Sequence, residues 1–242
     1  MIIVTGSSKG IGNYIASALS YKGLDVAGIS RTMPVQESPF FYETLVGRIP
    51  AQSFKTYIGD VTKREDLFKI QNELKKNNVV VDALINCAGV GLEPELEFRK
   101  IRERNINEII QTNIIGTINS CQYFMDLMDP KKHTPIINMS SLSAHAVTDL
   151  TVYAASKGGI YSFTKALAQK ISHTQIRPNC ISPGIIDTDM ISGILPERKE
   201  AALNLQVIKR MFTKEDIYNV VELLLDERSN SLAGQAFYIG GS

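Results

Sequence analysis

A doubly wound α/β fold, one parallel sheet of seven strands with helices on both faces, is what this sequence predicts, on three observations. Short and almost wholly apolar runs recur along the chain, as strands covered on both faces should. Longer stretches between them return an apolar residue every three or four positions, the spacing of an amphipathic helix. The alternation runs through all 242 residues without a linker, an internal repeat or a low-complexity tract, so one domain over residues 1–242 is expected.

The first strand is expected over residues 2–5 (Ile-Ile-Val-Thr), followed by a glycine turn and a helix over 11–21. Strands should follow at 24–29, 53–59, 79–87, 135–139, 176–182 and 236–239. Helical periodicity covers 63–76, 106–127, 151–172 and 213–226, with a less regular stretch near 197–207. Two helix starts have capping-box spacing, Thr62 with Glu65 and Thr213 with Asp216. Residues 32–52 hold Pro34, Pro39 and Pro50 and read as loop with at most one short helix. Pro178 falls at the expected start of the sixth strand, where a missing N–H is tolerated.

Charge removes one class of function. With 26 Lys plus Arg against 25 Asp plus Glu and a formal charge of +1, the chain lacks the basic excess of a nucleic-acid binder. Cys87, Cys121 and Cys180 are odd in number and form no C-x-x-C pair, so they read as reduced core thiols, and no metal site is expected. No apolar run reaches the roughly 18 residues of a membrane span, and the chain opens on a strand-like run instead of a charged leader. The expectation is a soluble, cytoplasmic protein without membrane or nucleic-acid partners.

The first strand leads into Thr5-Gly6-Ser7-Ser8-Lys9-Gly10-Ile11-Gly12 and then a helix. Glycines at a first β-to-α turn allow a tight turn (Gly6), close approach of backbone N–H groups to a pyrophosphate (Gly10), and helix packing on the strand (Gly12). A nucleoside triphosphate loop would need its lysine after the last glycine, whereas Lys9 precedes Gly10. The acidic residue that takes a ribose 2′-hydroxyl is expected near the end of the second strand, and Ser30 and Arg31 stand there instead. Arg31 and Lys9 suit a 2′-phosphate, which favours NADP(H) over NAD(H). Either base taken singly could equally be a solvated charge.

Tyr153-Ala154-Ala155-Ser156-Lys157 opens a long helical pattern, and its i, i+4 spacing puts phenol and ammonium on one helix face. A phenol with a reference pKa of about 10 is a poor acid–base group unless a nearby cation favours the phenolate. The strand before it ends in Ser140-Ser141, at the carboxyl edge where α/β sheets bind ligands.

With these residues the chain resembles the compact short-chain dehydrogenase/reductases, a Rossmann-fold family, most closely their 3-oxoacyl-acyl-carrier-protein reductase branch. The likeness covers nearly the whole chain. It rests on Thr5 to Gly12, Asp60-Val61, Asn86-Cys87-Ala88-Gly89, Asn113, the Ser141, Tyr153 and Lys157 set, and Pro183-Gly184 with Thr188. The resemblance implies that Tyr153 gives a proton to a carbonyl oxygen that Ser141 holds, while Lys157 lowers the phenol's pKa and bonds the nicotinamide ribose. It implies that Asn113 bends its helix and holds a water of a proton relay, with a structural amide as the alternative. Asp60 and Val61 would touch the adenine, Asn86, Ala88 and Gly89 the adenosine side, and Ile186 and Thr188 the carboxamide. Cys87 replaces the second asparagine of the common motif, the aspartate usual before Gly240-Gly241 is missing, and the serine–tyrosine loop is one residue short, which leaves Ser140 as the alternative to Ser141.

A short substrate lid is expected at about 189–212, its first part apolar. An apolar lid suits an acyl chain or another hydrophobic carbonyl compound, though its Ile and Leu could equally pack on the core. Lys131, Lys132 and His133 would meet an acidic acyl carrier or form a solvated loop. Apolar positions at Ile114, Ile118, Ala155, Ile160 and Phe163, with the resemblance, imply a homodimer or homotetramer. An NADPH-dependent carbonyl reductase is the leading reading. A dinucleotide-binding sensor would have lost Tyr153 or Lys157, an extended epimerase needs a longer chain, and sugar, polyketide and diketone reductases remain as rivals for substrate.

Overall fold

The computed structural model describes residues 1–34, 54–91, 97–145, 148–188 and 196–241. Seven strands, β1 (Ile2–Thr5), β2 (Val26–Ser30), β3 (Lys55–Ile58), β4 (Ala83–Asn86), β5 (Pro135–Met139), β6 (Arg177–Pro183) and β7 (Ala236–Ile239), form one sheet in the order β3-β2-β1-β4-β5-β6-β7. Every adjacent pair is parallel. The helices are α1 (Gly10–Tyr21), α2 (Arg64–Lys76), α3 (Glu103–Ile110), α4 (Gly116–Met125), α5 (Thr151–Lys170), α6 (Pro196–Leu205) and α7 (Lys214–Leu225). Most of the proline-bearing segment expected as loop lies outside the described residues.

Alternation along each strand sorts the core into two layers. Ile2, Val4, Ile85, Ile137 and Ile181 face one side, where α1 supplies Ile15 and Leu19 and α7 supplies Ile217, Val221 and Leu224. Ile3, Ile29, Leu84 and Ile136 face the other, against Leu67, Ile70 and Leu74 of α2 and Phe124 of α4. The strand order reverses between β1 and β4, and the crevice beyond their carboxyl ends is where such sheets take ligands. Among the described residues no helix is long and apolar enough to cross a membrane.

Three local expectations are corrected. The helix expected over 106–127 is two helices joined by a π-helical turn, Gln111–Ile115, with Asn113 at its centre. Thr62 does not cap α2: its hydroxyl donates to Asp60 Oδ1 at 2.8 Å, and Lys63 is the N-cap residue. A carboxylate two residues back competes for the hydroxyl that the spacing alone assigned to the helix. The other box is present, with Thr213 accepting from Asp216 N and the Asp216 carboxylate accepting from Thr213 N. Pro178 is the second residue of an interior strand, and since the ladder to β7 begins only at Cys180, its missing N–H falls ahead of that strand. Finally, Cys121 and Cys180 are buried as expected, but Cys87 is only half-buried.

Candidate active site

The turn between β1 and α1 presses directly on the loop after β4. Gly6 has φ +69°, and a Cβ on it would lie 2.7 Å from the Ala88 N and Cα atoms. A Cβ on Gly12 would lie 2.4 Å from the Gly6 carbonyl oxygen. Both glycines are therefore set by backbone contact, and Gly12 fixes how closely α1 approaches the strand. Gly10 also has positive φ, but nothing stands within 4 Å of where its Cβ would be. The first turn of α1 opens there on to the crevice, with no acidic side chain and no side-chain cap from Lys9, so its N–H groups and the helix dipole suit a phosphate. Ser8 and Ile11 complete the turn and are partly exposed; Lys9 and Arg31 are exposed, and Ser30 is buried with its hydroxyl bonded to Thr32 O at 2.7 Å. These residues fit the diphosphate end of a nicotinamide dinucleotide.

The adenosine-side candidates divide. Asp60 turns its carboxylate on to Thr62 N and Oγ1, while the Val61 side chain packs at Gly116 and its carbonyl accepts from Asn119 Nδ2 at 3.0 Å. The Val61 side chain is thus engaged in the core. Asn86 is also internal: its Nδ2 donates to Asn138 Oδ1 at 2.9 Å, and Asn138 Nδ2 donates to Thr164 Oγ1 at 2.9 Å, which ties β4, β5 and α5 together through the core. Asn86 holds the sheet edge on which Ala88 and Gly89 stand.

The chemistry-bearing side chains meet beyond β5. Ser140 is buried and donates from Oγ to Lys157 O at 2.9 Å, pinning α5 to the strand end. Ser141 is half-buried, accepts from Ser143 N at 3.1 Å, and hydrogen-bonds with the Tyr153 side chain. Ser141, and not Ser140, thus meets the phenol. Lys157 is 6% exposed; its Nζ donates to Met139 O at 2.9 Å and stands 5.7 Å from the centroid of the Tyr153 ring. Burial depresses this ammonium from 10.5 to about 8, with the Cys87 thiol pulling weakly the other way. Burial also pushes the Tyr153 phenol up, and the bond with Ser141 draws it partly back. In this geometry Ser141 is hydrogen-bonded to the phenol, while the Lys157 ammonium is turned on to Met139 O.

Asn113 is 1% exposed and has its amide fully engaged. Oδ1 accepts from Val90 N at 2.8 Å, and Nδ2 donates to Val90 O at 3.0 Å and to Ser156 Oγ at 2.9 Å. Ser156, which the sequence reading passed over, donates in turn to Tyr153 O at 2.7 Å. A serine inside Y-x-x-x-K gives no periodic signal; its role becomes visible only when the π turn is seen beside α5. Asn113 Oδ1 and Lys157 Nζ lie 3.3 and 3.4 Å from where a Cβ on Gly89 would be, so a side chain there would crowd both.

On the far wall, Gly184 N donates to Ile239 O at 2.9 Å and Ile186 is buried, bridged to Phe212. Pro183 ends β6, and Thr188 is the last described residue before 189–195. The carboxyl-terminal part of the expected lid is not free: Gln206 is 2% exposed and accepts from Ile185 N at 2.6 Å, while Val207 N and Ile208 N donate to Gly240 O. Residues 206–212 are stitched to the sheet, which leaves α6 as the described part of the lid. Residues 189–195, its apolar part, lie outside the described residues. Lys131, Lys132 and His133 precede β5, at the edge of the sheet opposite the site.

The family described as short chain dehydrogenase matches residues 1–199 of this chain. The chain belongs to the short-chain dehydrogenase family. Like the family, this short-chain dehydrogenase is an oxidoreductase that uses a nicotinamide dinucleotide. It is 31% identical to carbonyl reductase family member 4 of Xenopus laevis over 240 residues, 98% of this chain and 95% of that one. It is 28% identical to the 3-oxoacyl-acyl-carrier-protein reductase of a Staphylococcus epidermidis strain over 242 residues, 99% and 96% of the two chains. Among solved structures, a short chain dehydrogenase of Leptospira borgpetersenii with bound NAD+ superposes with TM-score 0.83 at 26% identity, covering 99% of this chain and 91% of that one. One of Burkholderia cenocepacia in complex with NADP gives 0.81 at 24% identity, covering 99% and 96%.

Proposed function

We propose that this short-chain dehydrogenase is an NADPH-dependent carbonyl reductase that converts a 3-oxoacyl thioester, or a similar ketone, to the hydroxy compound. The observation that carries the reading is the meeting of Ser141, Tyr153 and Lys157 beside the crevice on to which the glycine turn opens. The dinucleotide, when bound, supplies the hydride. Gly6, Ser8, Lys9, Gly10, Ile11 and Gly12 receive its diphosphate, Asp60 and the Val61 backbone its adenine, and Ala88 and Gly89 its adenosine side. Pro183, Gly184, Ile186 and Thr188 form the wall for the carboxamide, and Arg31 with Lys9 takes the 2′-phosphate.

The chain's own groups handle the proton. Ser141 Oγ donates to the substrate oxygen, and Tyr153 Oη delivers a proton to that oxygen as it gains charge. Lys157 Nζ bonds the nicotinamide ribose and, leaving Met139 O for the crevice, supports the phenolate that remains. Asn113 acts by fixing Val90 and Ser156 on either side of this set, so that a relay water rests on a rigid frame. An acyl carrier presenting the substrate would not meet Lys131, Lys132 and His133 on the same chain's site edge, so carrier contact through them requires a second copy. Such copies are expected as dimers or tetramers, through partly exposed Ile114, Ile118 and Phe163 and exposed Ala155; Ile160 belongs to the core. A monomeric mass by light scattering would contradict that assembly.

The deciding experiment follows NADPH consumption across 3-oxoacyl thioesters, small diketones and quinones. Saturable reduction of the thioesters supports the reading; reduction of diketones or quinones alone reassigns the substrate. Tight NADPH binding with no carbonyl reduced would indicate a sensor.

A further inference from the structure

α5 carries a second tyrosine–lysine pair. Tyr153, Lys157, Tyr161 and Lys165 follow one another at four-residue intervals and form one stripe along the helix. Lys165 Nζ stands 5.3 Å from the centroid of the Tyr161 ring and 3.5 Å from its hydroxyl. This outer pair meets a histidine. The His145 ring lies 4.7 Å from the Tyr161 ring at 84°, and 4.9 Å from the ring of Tyr238 on β7 at 83°. Both are edge-to-face contacts, a favoured arrangement for aromatic rings.

His145 closes the short turn that begins at Ser141. Its N–H donates to Leu142 O at 2.9 Å, Ala144 N donates to Ser141 O at 3.1 Å, and Ser143 N donates to Ser141 Oγ at 3.1 Å. The last bond takes a lone pair of Ser141 Oγ and leaves its proton to be donated. A lone 3-10 turn of three residues, Leu142–Ala144, has poor hydrogen-bond geometry and does not hold its own shape. Leu142, 6% exposed, seats it on one side; its far end is gripped by the two tyrosines.

We propose that His145 is a positioning residue: clamped by Tyr161 and Tyr238, it fixes the turn that aims Ser141 Oγ at the substrate oxygen. The aim rests on the carbonyl-reductase reading; the clamp itself does not. Tyr161 belongs to the helix that carries Tyr153, so α5 places both the serine and the phenol, and a displacement of the helix carries both hydroxyls with it. Two edge-to-face contacts together bias the turn towards its ordered form by on the order of five- to a hundredfold. His145 is exposed, which puts the clamp in the lower part of that range. Losing it withdraws a hydrogen bond that strengthens as the substrate oxygen gains charge. The loss therefore falls on kcat, while dinucleotide and substrate binding stay.

The test uses His145→Ala, which removes the clamp, His145→Phe, which restores a ring, and Tyr238→Leu, which releases the clamp from the strand without touching the turn. In His145→Ala, kcat for a 3-oxoacyl thioester should fall by about five- to thirtyfold, with KM and the NADPH dissociation constant nearly unchanged. His145→Phe should recover most of that loss. Tyr238→Leu should lower kcat in the same sense, and the double variant with His145→Ala should lose less than the product of the two single effects, since both break one contact. Amide hydrogen exchange of residues 141–145 should quicken in His145→Ala and in Tyr238→Leu. Unaltered exchange in His145→Ala overturns the clamp. A kcat that does not fall in His145→Ala, or does not recover in His145→Phe, overturns the positioning role. If the parent reduces no carbonyl compound, the functional reading fails while the exchange measurement still decides the clamp.

Discussion

Lys157→Met separates the stability of this fold from its chemistry. The ammonium is held at about 8 against 10.5 for an ordinary lysine, because burial at 6% exposure disfavours the charged form. A depression of that size corresponds to about 3 kcal/mol of destabilisation wherever both the folded and unfolded chains are protonated. Methionine keeps the volume and removes the charge; it also gives up the bond to Met139 O, worth about 1 kcal/mol. The variant should therefore be about 1 to 3 kcal/mol more stable at pH 7, with Tm higher by roughly 2 to 4 °C for each kcal/mol. The sign of the pH dependence follows from the direction of the shift. Between pH 8 and 10.5 the unfolded chain still binds the proton that the folded chain has released, so the parent's stability rises with pH through that window. The advantage of the variant should shrink over the same range and be gone near its upper end. Urea denaturation of both proteins at pH 7 and at pH 10 measures this. A variant no more stable than the parent at pH 7, or an advantage that does not shrink with pH, would refute the reasoning. Because the ammonium is the working form, kcat/KM of the parent should fall as pH rises through about 8, and Lys157→Met should lose both turnover and dinucleotide affinity.

Tyr153→Phe keeps the ring and removes the proton donor, so turnover should drop by about a hundredfold or more with NADPH affinity nearly unchanged; retained carbonyl reduction would exclude this phenol as the acid. Arg31→Asp places a carboxylate where a 2′-phosphate is proposed, and the ratio of NADPH to NADH dissociation constants should invert, the parent preferring NADPH through contacts of roughly 1.5 to 3 kcal/mol each. Equal constants in the parent would dismiss the preference. Gly12→Ala drives a methyl to 2.4 Å from the Gly6 carbonyl oxygen, a backbone atom that cannot swing aside, and should cost about 1 to 3 kcal/mol in thermal or urea melts while weakening dinucleotide binding. Gly10→Ala meets no atom within 4 Å and is opposed only by its φ of +62°, so a loss of roughly 1 to 2 kcal/mol is expected; a larger loss there than at position 12 would overturn the packing argument.

The sequence by itself determined what local chemistry determines. Strands such as Ile2–Thr5 and Pro135–Met139 could be read with their bounds because a sheet covered on both faces demands unbroken apolar runs, and few other structures do. The glycine turn was legible because tight turns and backbone contact leave no substitute for glycine, and Thr213 with Asp216 because a capping box is closed within four residues. The i, i+4 rule placed Tyr153 and Lys157 on one face of a helix without any knowledge of the fold. The tertiary structure decided whatever depends on which neighbour a polar group finds. Thr62 went to Asp60 instead of to its helix, Ser141 and not Ser140 reached the phenol, and Asn113 spent its amide on Val90 and Ser156. The pull on Lys157, the break in the helix at Gln111–Ile115 and the hold of Gln206 on the sheet edge belong to the same class. A side chain with several donors and acceptors has many partners available in the unfolded chain, and only packing of distant segments removes all but one of them. Apolar periodicity carries no record of that choice, because hydrogen bonds are directional and short in range while burial is neither.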